Sequence, residues 1–374
     1  MFFPKTRLTV SFVFIVSLTI PGAQRARGQD PGKEVLSSIV SAWKERQNVA
    51  QSFDFVATGT EWRSAAVIDE RQLAMAGQKA NEKLTLPETS FPITIRLVLD
   101  KLGRARFQYD GKDWSAKEKG YVPTSQLDMF DGKTQKTFFG QGAIGFPNAH
   151  VSRGDVSTVA RDERVLPILI AYRTLDSALG VLDLEGLRLD DAKGVVGEHT
   201  CLIVIQGEHT VWVDPARGYL PIRYYGAQNG KVQFSLEMQY SQDKNNAWVL
   251  SAWTNGTFSM AGALTSSVTV KVSESRLNVP IPDEMFDFGR LPQGTWLRNY
   301  ITDEAYILRQ DGEKRPVRPG EYNGENYQQL LTSDSPDREY WGGQGWRTFW
   351  AACGIAVVLL VLVLIFLYRR RTRA

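Results

Sequence analysis

Val232-Gln233-Phe234-Ser235-Leu236-Glu237-Met238-Gln239-Tyr240 alternates apolar and polar side chains without a break. A strand projects successive side chains to opposite faces, so this stretch reads as β-structure with one covered face and one wet face. Such alternation belongs to antiparallel sheets; parallel strands buried on both sides read as continuous apolar runs. The same signature recurs on both sides of it. Leu264, Ser266, Val268, Val270 and Val272 oppose Thr265, Ser267, Thr269 and Lys271. Earlier, Phe53, Phe55 and Ala57 oppose Asp54, Val56 and Thr58, and Ile93, Ile95, Leu97 and Leu99 oppose Thr94, Arg96, Val98 and Asp100. Past a turn at Gly103, Ala105, Phe107 and Tyr109 oppose Arg104, Arg106 and Gln108. Asp110-Gly111 and Asp131-Gly132 are hairpin-turn pairs by composition.

Helical spacing is rarer. Asp30-Pro31 is a helix start, and Val35, Leu36, Ile39, Val40 and Trp43 continue it, predicting a helix over 31–48. Further helices are expected over 164–178 and 324–332, while 66–86 reads equally as helix or insert. The fold class is therefore α+β: one twisted antiparallel sheet with a few helices over its apolar face.

The termini set a topology. Lys5 and Arg7 precede the apolar run Leu8–Ile20, broken by Pro21-Gly22 and followed by Ala26-Arg27-Gly28. This reads as a signal peptide over 1–28, cleaved after Gly28 or at Ala23 or Ala26, with an uncleaved anchor as the rival. No cysteine near this exit offers an N-terminal acylation site. Phe349–Tyr368 carries no charge, is long enough at ~1.5 Å per residue to cross a ~30 Å hydrocarbon layer, and is followed by Arg369-Arg370-Arg371. It reads as a transmembrane helix, reached through a polar, Gly-rich stalk at 333–348, with the basic tail 369–374 cytoplasmic. The expected protein is a single-pass inner-membrane protein whose folded domain faces the periplasm.

Charge supports that division. Of the 44 Lys and Arg, Lys5, Arg7, Arg25, Arg27, Arg369, Arg370, Arg371 and Arg373 lie in the two end segments, leaving 36 against 41 Asp and Glu. A folded portion that is net acidic removes the main support for nucleic-acid binding. Cys201 and Cys353, the 2 cysteines, fall in different segments, and no disulfide is expected.

No catalytic constellation stands out. The 3 histidines are His150, His199 and His209. His199, Cys201 and His209 can be drawn together as zinc ligands, but no close-spaced Cys pair or His-Glu-x-x-His accompanies them, and hairpin histidines explain the positions. No Gly-x-Ser-x-Gly and no phosphate-binding glycine loop occurs. Asn255-Gly256-Thr257 matches a glycosylation acceptor and reads first as a turn; Asp214 reads as the cap of a turn shaped by Pro215 and Gly218. The expectation is a non-enzymatic protein without cofactor or metal.

Three segments share a further likeness: Trp43-Lys44-Glu45-Arg46 with Ser52-Phe53-Asp54-Phe55; Leu97-Val98-Leu99-Asp100 through Asp110-Gly111-Lys112-Asp113-Trp114 to Phe130-Asp131-Gly132-Lys133; and Trp212–Arg223 with Val279–Phe288 and Pro292-Gln293-Gly294-Thr295. In this order they resemble the outer-membrane lipoprotein-sorting superfamily, the LolA/LolB/RseB-like fold, in the form of exported proteins of planctomycete-like bacteria. The likeness covers about 31–292, with gaps at 66–90 and 141–165, and assigns 29–292 to the curved-sheet domain and 293–332 to a C-terminal extension. It implies a strongly curved, unclosed sheet whose concave face is covered by helices and can receive acyl chains of a lipid or lipoprotein. The candidate ligand-binding residues on that face are Phe53, Phe55, Ile95, Leu97, Phe107, Phe234, Leu236 and Met238, although for any one of them taken singly ordinary core packing under the helices is the better reading. A membrane tether departs from a freely diffusing carrier and favours a fixed acceptor, sensor or scaffold. An envelope protein partner, with no ligand cavity at all, is the alternative expectation.

Overall fold

The computed structural model describes residues 31–68, 84–115, 118–140, 146–160, 162–179, 181–309, 312–318, 320–322 and 326–333. The expected signal peptide, nearly all of the stalk, the apolar segment 349–368 and the basic tail lie outside the described residues. Among those described, no helix is long and apolar enough to cross a membrane.

The chain begins with α1 (Pro31–Val49), one residue longer than its apolar spacing predicts, and enters β1 (Phe53–Arg63). A small hairpin, β2 (Ala66–Ile68) with β3 (Leu84–Leu86), brackets the segment whose sequence fits either helix or insert. Then come β4 (Thr89–Leu99), β5 (Ala105–Ser115), β6 (Gly120–Phe130), β7 (Thr134–Phe139) and β8 (Asn148–Arg153). The short helices α2 (Ser157–Ala160) and α3 (Leu166–Tyr172) interrupt the strands. They resume as β9 (Arg188–Val196), β10 (His199–Gln206), β11 (His209–Asp214), β12 (Leu220–Gln228), β13 (Lys231–Gln242), β14 (Trp248–Phe258) and β15 (Leu264–Leu277). The extension adds β16 (Trp296–Asn299), β17 (Glu304–Leu308), β18 (Lys314–Val317) and α4 (Tyr327–Thr332).

All strands but β2 and β3 form one 16-stranded sheet in the order β18-β17-β16-β8-β7-β6-β5-β4-β1-β15-β14-β13-β12-β11-β10-β9. Its two edges, β18 and β9, do not pair, so the sheet is unclosed and strongly curled. Helices are few and the protein is mostly β. Neighbours run antiparallel except β8 and β16, which are parallel. A parallel pair demands a long crossover. Here the chain leaving β15 crosses the outer face as a strap: Arg104 donates to Asp283 Oδ1 at 2.7 Å, Arg106 to the Met285 carbonyl at 3.1 Å, and Lys136 to the Phe286 carbonyl at 3.2 Å. Arg104 also lies 4.4 Å over the Phe286 ring. Phe288, Leu291 and Leu297 then pack on Leu127, Met129 and Phe138. The outer face around β5–β7, expected to be wet because Arg104 and Arg106 point there, is therefore covered; the arginines hold the cover.

Inside the curl, β1, β4, β5, β10–β15, α1 and α3 share one apolar core. Trp43 of α1 is 1% exposed and donates its indole N–H to the Tyr219 carbonyl at 2.9 Å, fixing α1 across the hollow. Phe55 packs on Phe53 and Tyr172 with ring centroids 5.5 and 5.2 Å away.

Several local expectations change. The helix expected over 164–178 is only α3: Pro167 suits its first turn, but Arg173 leaves helical geometry and Thr174 folds its hydroxyl back to the Ile170 carbonyl at 2.6 Å. The helix expected over 324–332 is α4, likewise shorter. Asp110-Gly111 is not a turn but lies within β5, where a Cβ on Gly111 would sit 2.2 Å from the Tyr109 hydroxyl. Asn255-Gly256 is not a turn either; it lies within β14. Asp131-Gly132 does turn the chain, Gly132 at φ +93°, and Asp214 caps its turn by accepting from the Ala216 N–H, with Gly218 at φ +65°.

Candidate functional site

The strands bring all eight inward candidates into the one core. Phe53, Phe55, Ile95, Leu97 and Phe107 sit on β1, β4 and β5, and Phe234, Leu236 and Met238 on β13; the most exposed, Phe234, is at 7%. Register explains the clustering. Phe55 pairs with Leu97 and Leu97 with Phe107, so three side chains point inward in a row. In this structure the row is covered rather than open: Tyr172 of α3 lies on Phe55, and α2 lies against β5.

Toward the end of the sheet where β1 finishes and β15 begins, the inner wall changes chemistry. The cross-strand row there reads Phe91, Glu61, Val268, Asn255 and Leu236. Two polar residues thus stand in a wall otherwise apolar, and both are buried: Glu61 is 3% exposed and Asn255 4%. The next row outward is polar, with Arg63 opposite Ser266 and Ser266 opposite Thr257. A buried carboxylate is tolerable only when paired and hydrogen-bonded. Glu61 takes Arg63 Nε at 2.7 Å, the Tyr109 hydroxyl at 3.0 Å and Arg164 Nε at 3.4 Å. Arg164 also contacts Asp162 at 3.0 Å and lies 4.0 Å over the Tyr109 ring. Burial alone would lower the Arg164 pKa, but Asp162 and Glu61 outweigh it and raise it; burial, then Glu61, raises that of Tyr109. Glu61, Asp162 and Arg164 bound a cleft of about 280 Å³, lined also by Glu163, Asn255, Thr257 and Val268.

Arg164 lies just before α3, so the ion pair holds the upper end of that helix. Its lower end is held by the Tyr172 hydroxyl accepting from the Leu250 N–H at 3.0 Å, and by Arg173 donating to the Gln51 carbonyl at 2.7 Å. Burial pushes the Tyr172 phenol up to about 12. None of these groups carries a sequence motif. The signal was legible only as charged or amide residues at inward positions of alternating strands, at Glu61 and Asn255.

The histidine–cysteine set does not assemble. His199 begins β10 and His209 begins β11 beyond the hairpin turn, so they stand at opposite ends of the pair. His199 Nδ1 stands 3.0 Å from Asp214 Oδ2, and His209 Nδ1 is 2.7 Å from the Tyr224 hydroxyl. Burial pushes the Cys201 thiol up to about 11, with Asp214 adding to it. Among the described residues no group of three His, Cys, Asp or Glu side chains is placed to hold a metal.

An unclosed, curled antiparallel sheet with helices seated in its hollow is the class of structure this geometry defines. Structure comparison returns lipoprotein-sorting domains as neighbours: a putative outer membrane lipoprotein-sorting protein domain from Vibrio parahaemolyticus, 12% identical over 67% of this chain and 94% of that one, TM-score 0.37. A LolA superfamily protein from Nitrosomonas europaea is 9% identical over 68% of this chain and 99% of that one, TM-score 0.37. A porin-like protein from Bacteroides uniformis is 8% identical over 59% and 97%, TM-score 0.19. No protein-family model and no curated protein matches the chain. At these identities nothing those proteins bind transfers to this chain.

Proposed function

We propose that this protein is a non-enzymatic binding module for acyl chains of lipids or lipoproteins, tethered to the inner membrane by 349–368 with its sheet in the periplasm. The observation that carries the reading is the inner wall: a contiguous apolar surface in an unclosed sheet, covered over β1 and β14 by a seven-residue helix, α3, held at both ends by polar contacts. Moving α3 would expose Phe53, Phe55 and their neighbours to a ligand without breaking a strand pair. Magnitudes set the stoichiometry. A chain of ~15 methylenes contributes ~12 kcal/mol gross, at ~0.8 each. Association costs ~4–15 kcal/mol. One chain is marginal, and two or three would hold firmly.

Native mass spectrometry of the full chain released from detergent, and titration with a fluorescent fatty acid, test this. Co-purified lipid or saturable uptake is expected. Absence of both from folded protein removes the reading. One observation favours a second reading, an envelope scaffold: none of the eight wall residues exceeds 7% exposure, so the hollow is full as it stands. In that case cross-linking in native membranes recovers a defined protein partner, and fatty acid does not bind.

A further inference from the structure

The upper cleft has a property the acyl-chain reading does not use. Asn255 is 4% exposed, and its amide orientation is set: Nδ2 donates to the Glu163 carbonyl at 3.4 Å. That leaves Oδ1 buried with no hydrogen-bond partner among the described residues. A buried acceptor without a donor costs about as much as a lost hydrogen bond, so a site that keeps one has a use for a donor. Charge points the same way. The cleft and its wall hold the carboxylates Glu61, Asp162 and Glu163 against the guanidinium groups Arg63 and Arg164. Arg63 is spent on Glu61 and Asp113, and Arg164 on Glu61 and Asp162. Among the described residues the Glu163 carboxylate meets only the Thr257 hydroxyl, at 2.7 Å. The residual charge is negative and sits beside the unmet acceptor.

We infer that this cleft binds a hydrogen-bond-donating ammonium group, a primary amine that gives one N–H to Asn255 Oδ1 and another to the Glu163 carboxylate. A quaternary ammonium carries the same charge but no donor, and leaves Oδ1 as it is. The chemistry is common to a soluble amine and to an aminophospholipid headgroup. Val268, which lines the cleft and belongs to the apolar core, puts the bound amine beside the region where acyl chains would lie. The inference does not require those chains.

The test is isothermal titration of the full chain in non-ionic detergent with ethanolamine and with choline. A parallel arm measures co-flotation of the chain, reconstituted in vesicles, with phosphatidylethanolamine or phosphatidylcholine vesicles. Saturable ethanolamine binding at least about tenfold tighter than choline is expected, one charged hydrogen bond being worth that much. Ethanolamine binding assigns a soluble amine; selective co-flotation with phosphatidylethanolamine alone assigns the headgroup; either supports the site. Asn255→Leu, which completes the apolar row, and Glu163→Gln, at an exposed position, should each weaken the amine by about tenfold. Equal binding of ethanolamine and choline, binding of neither amine nor lipid, or unchanged binding in Glu163→Gln overturns the inference. Because fatty acid carries no amine, failure here is separable from failure of the acyl-chain reading.

Discussion

The two wings of the sheet flanking β1 are built differently. From β4 to β8 the pairings run without a register shift. From β15 to β9 every pairing except β10–β11 carries one. A bulge adds a residue to one strand and increases local twist, so repeated bulges bend the second wing around the helices. The regular wing is instead sealed on its outer face by the strap through Phe286 and Phe288. One wing is thus sealed along its outer face by a strap, whereas the other carries only a small separate cluster of Val196, Cys201, Leu220 and Ile222 beside the shared inner core. The seam between them, β1, carries the aromatic pair on which α3 rests.

Breaking the seam should have the largest effect. Phe55→Ala removes a fully buried ring that touches both Phe53 and Tyr172, and is expected to cost about 3–5 kcal/mol in urea unfolding. Because α3 loses its platform, both wings should loosen together in hydrogen exchange. Phe286→Ala sharpens the contrast. It empties the site under Arg104, 2% exposed, at about 3 kcal/mol, and should raise exchange in β5–β7 while leaving β11–β13 unchanged. Equal deprotection of both wings would mean the strap seals nothing of its own. Next is Glu61→Ala, which leaves Arg63 and Arg164 facing an empty site. Both guanidiniums are about one-fifth exposed and can recruit water, so the cost is about 2 kcal/mol rather than that of a dry pair. Its sharper readout is faster fatty-acid entry, since the upper end of α3 is released.

Much of this contrast was legible beforehand and much was not. Period-two alternation located strands around Phe53, Ile95, Phe107, Phe234 and Val268, because one covered face imposes that pattern whatever the distant partner. The eight wall residues followed from it. The strap did not: Arg104 and Arg106 look solvated until a segment some 180 positions later lies over them. Asn255-Gly256 and Asp110-Gly111 carry turn chemistry but sit mid-strand, where tertiary packing overrides local preference. At Gly111 the reason is visible, since Tyr109 folds its phenol across the position a side chain would need. The cleft was illegible because Glu163 lies in the segment before α3, far in sequence from Glu61 and Asn255, and spacing cannot join them.

The smallest effect expected is a pH signature that again separates the wings. Asp131, in the turn between β6 and β7, is held down at about 2: burial opposes this, but N–H groups of Thr134 and Lys133, the Thr134 hydroxyl and Lys136 overcome it. A depressed carboxyl stabilises the fold above its unfolded value of 3.8, and that contribution is lost as pH falls toward 2. His209, opening β11 in the bulged wing, is kept neutral chiefly by burial, with its pKa below 6.5. The unfolded chain takes its proton first, so this contribution is present above 6.5 and lost as pH falls below it. His150 on β8 is lowered in the same direction, and in the regular wing it blurs the comparison. A His150→Gln background removes that overlap. In it, melting followed by exchange should show β10–β12 weakening first, below pH 6.5, with β6–β7 holding until below pH 4. Adding Asp131→Asn should shrink the second step, part of which stays with Asp287, held down by the same Lys136, and leave the first. If both wings instead weaken together at every pH, the strap and the bulges do not divide the sheet energetically, and it unfolds as one unit.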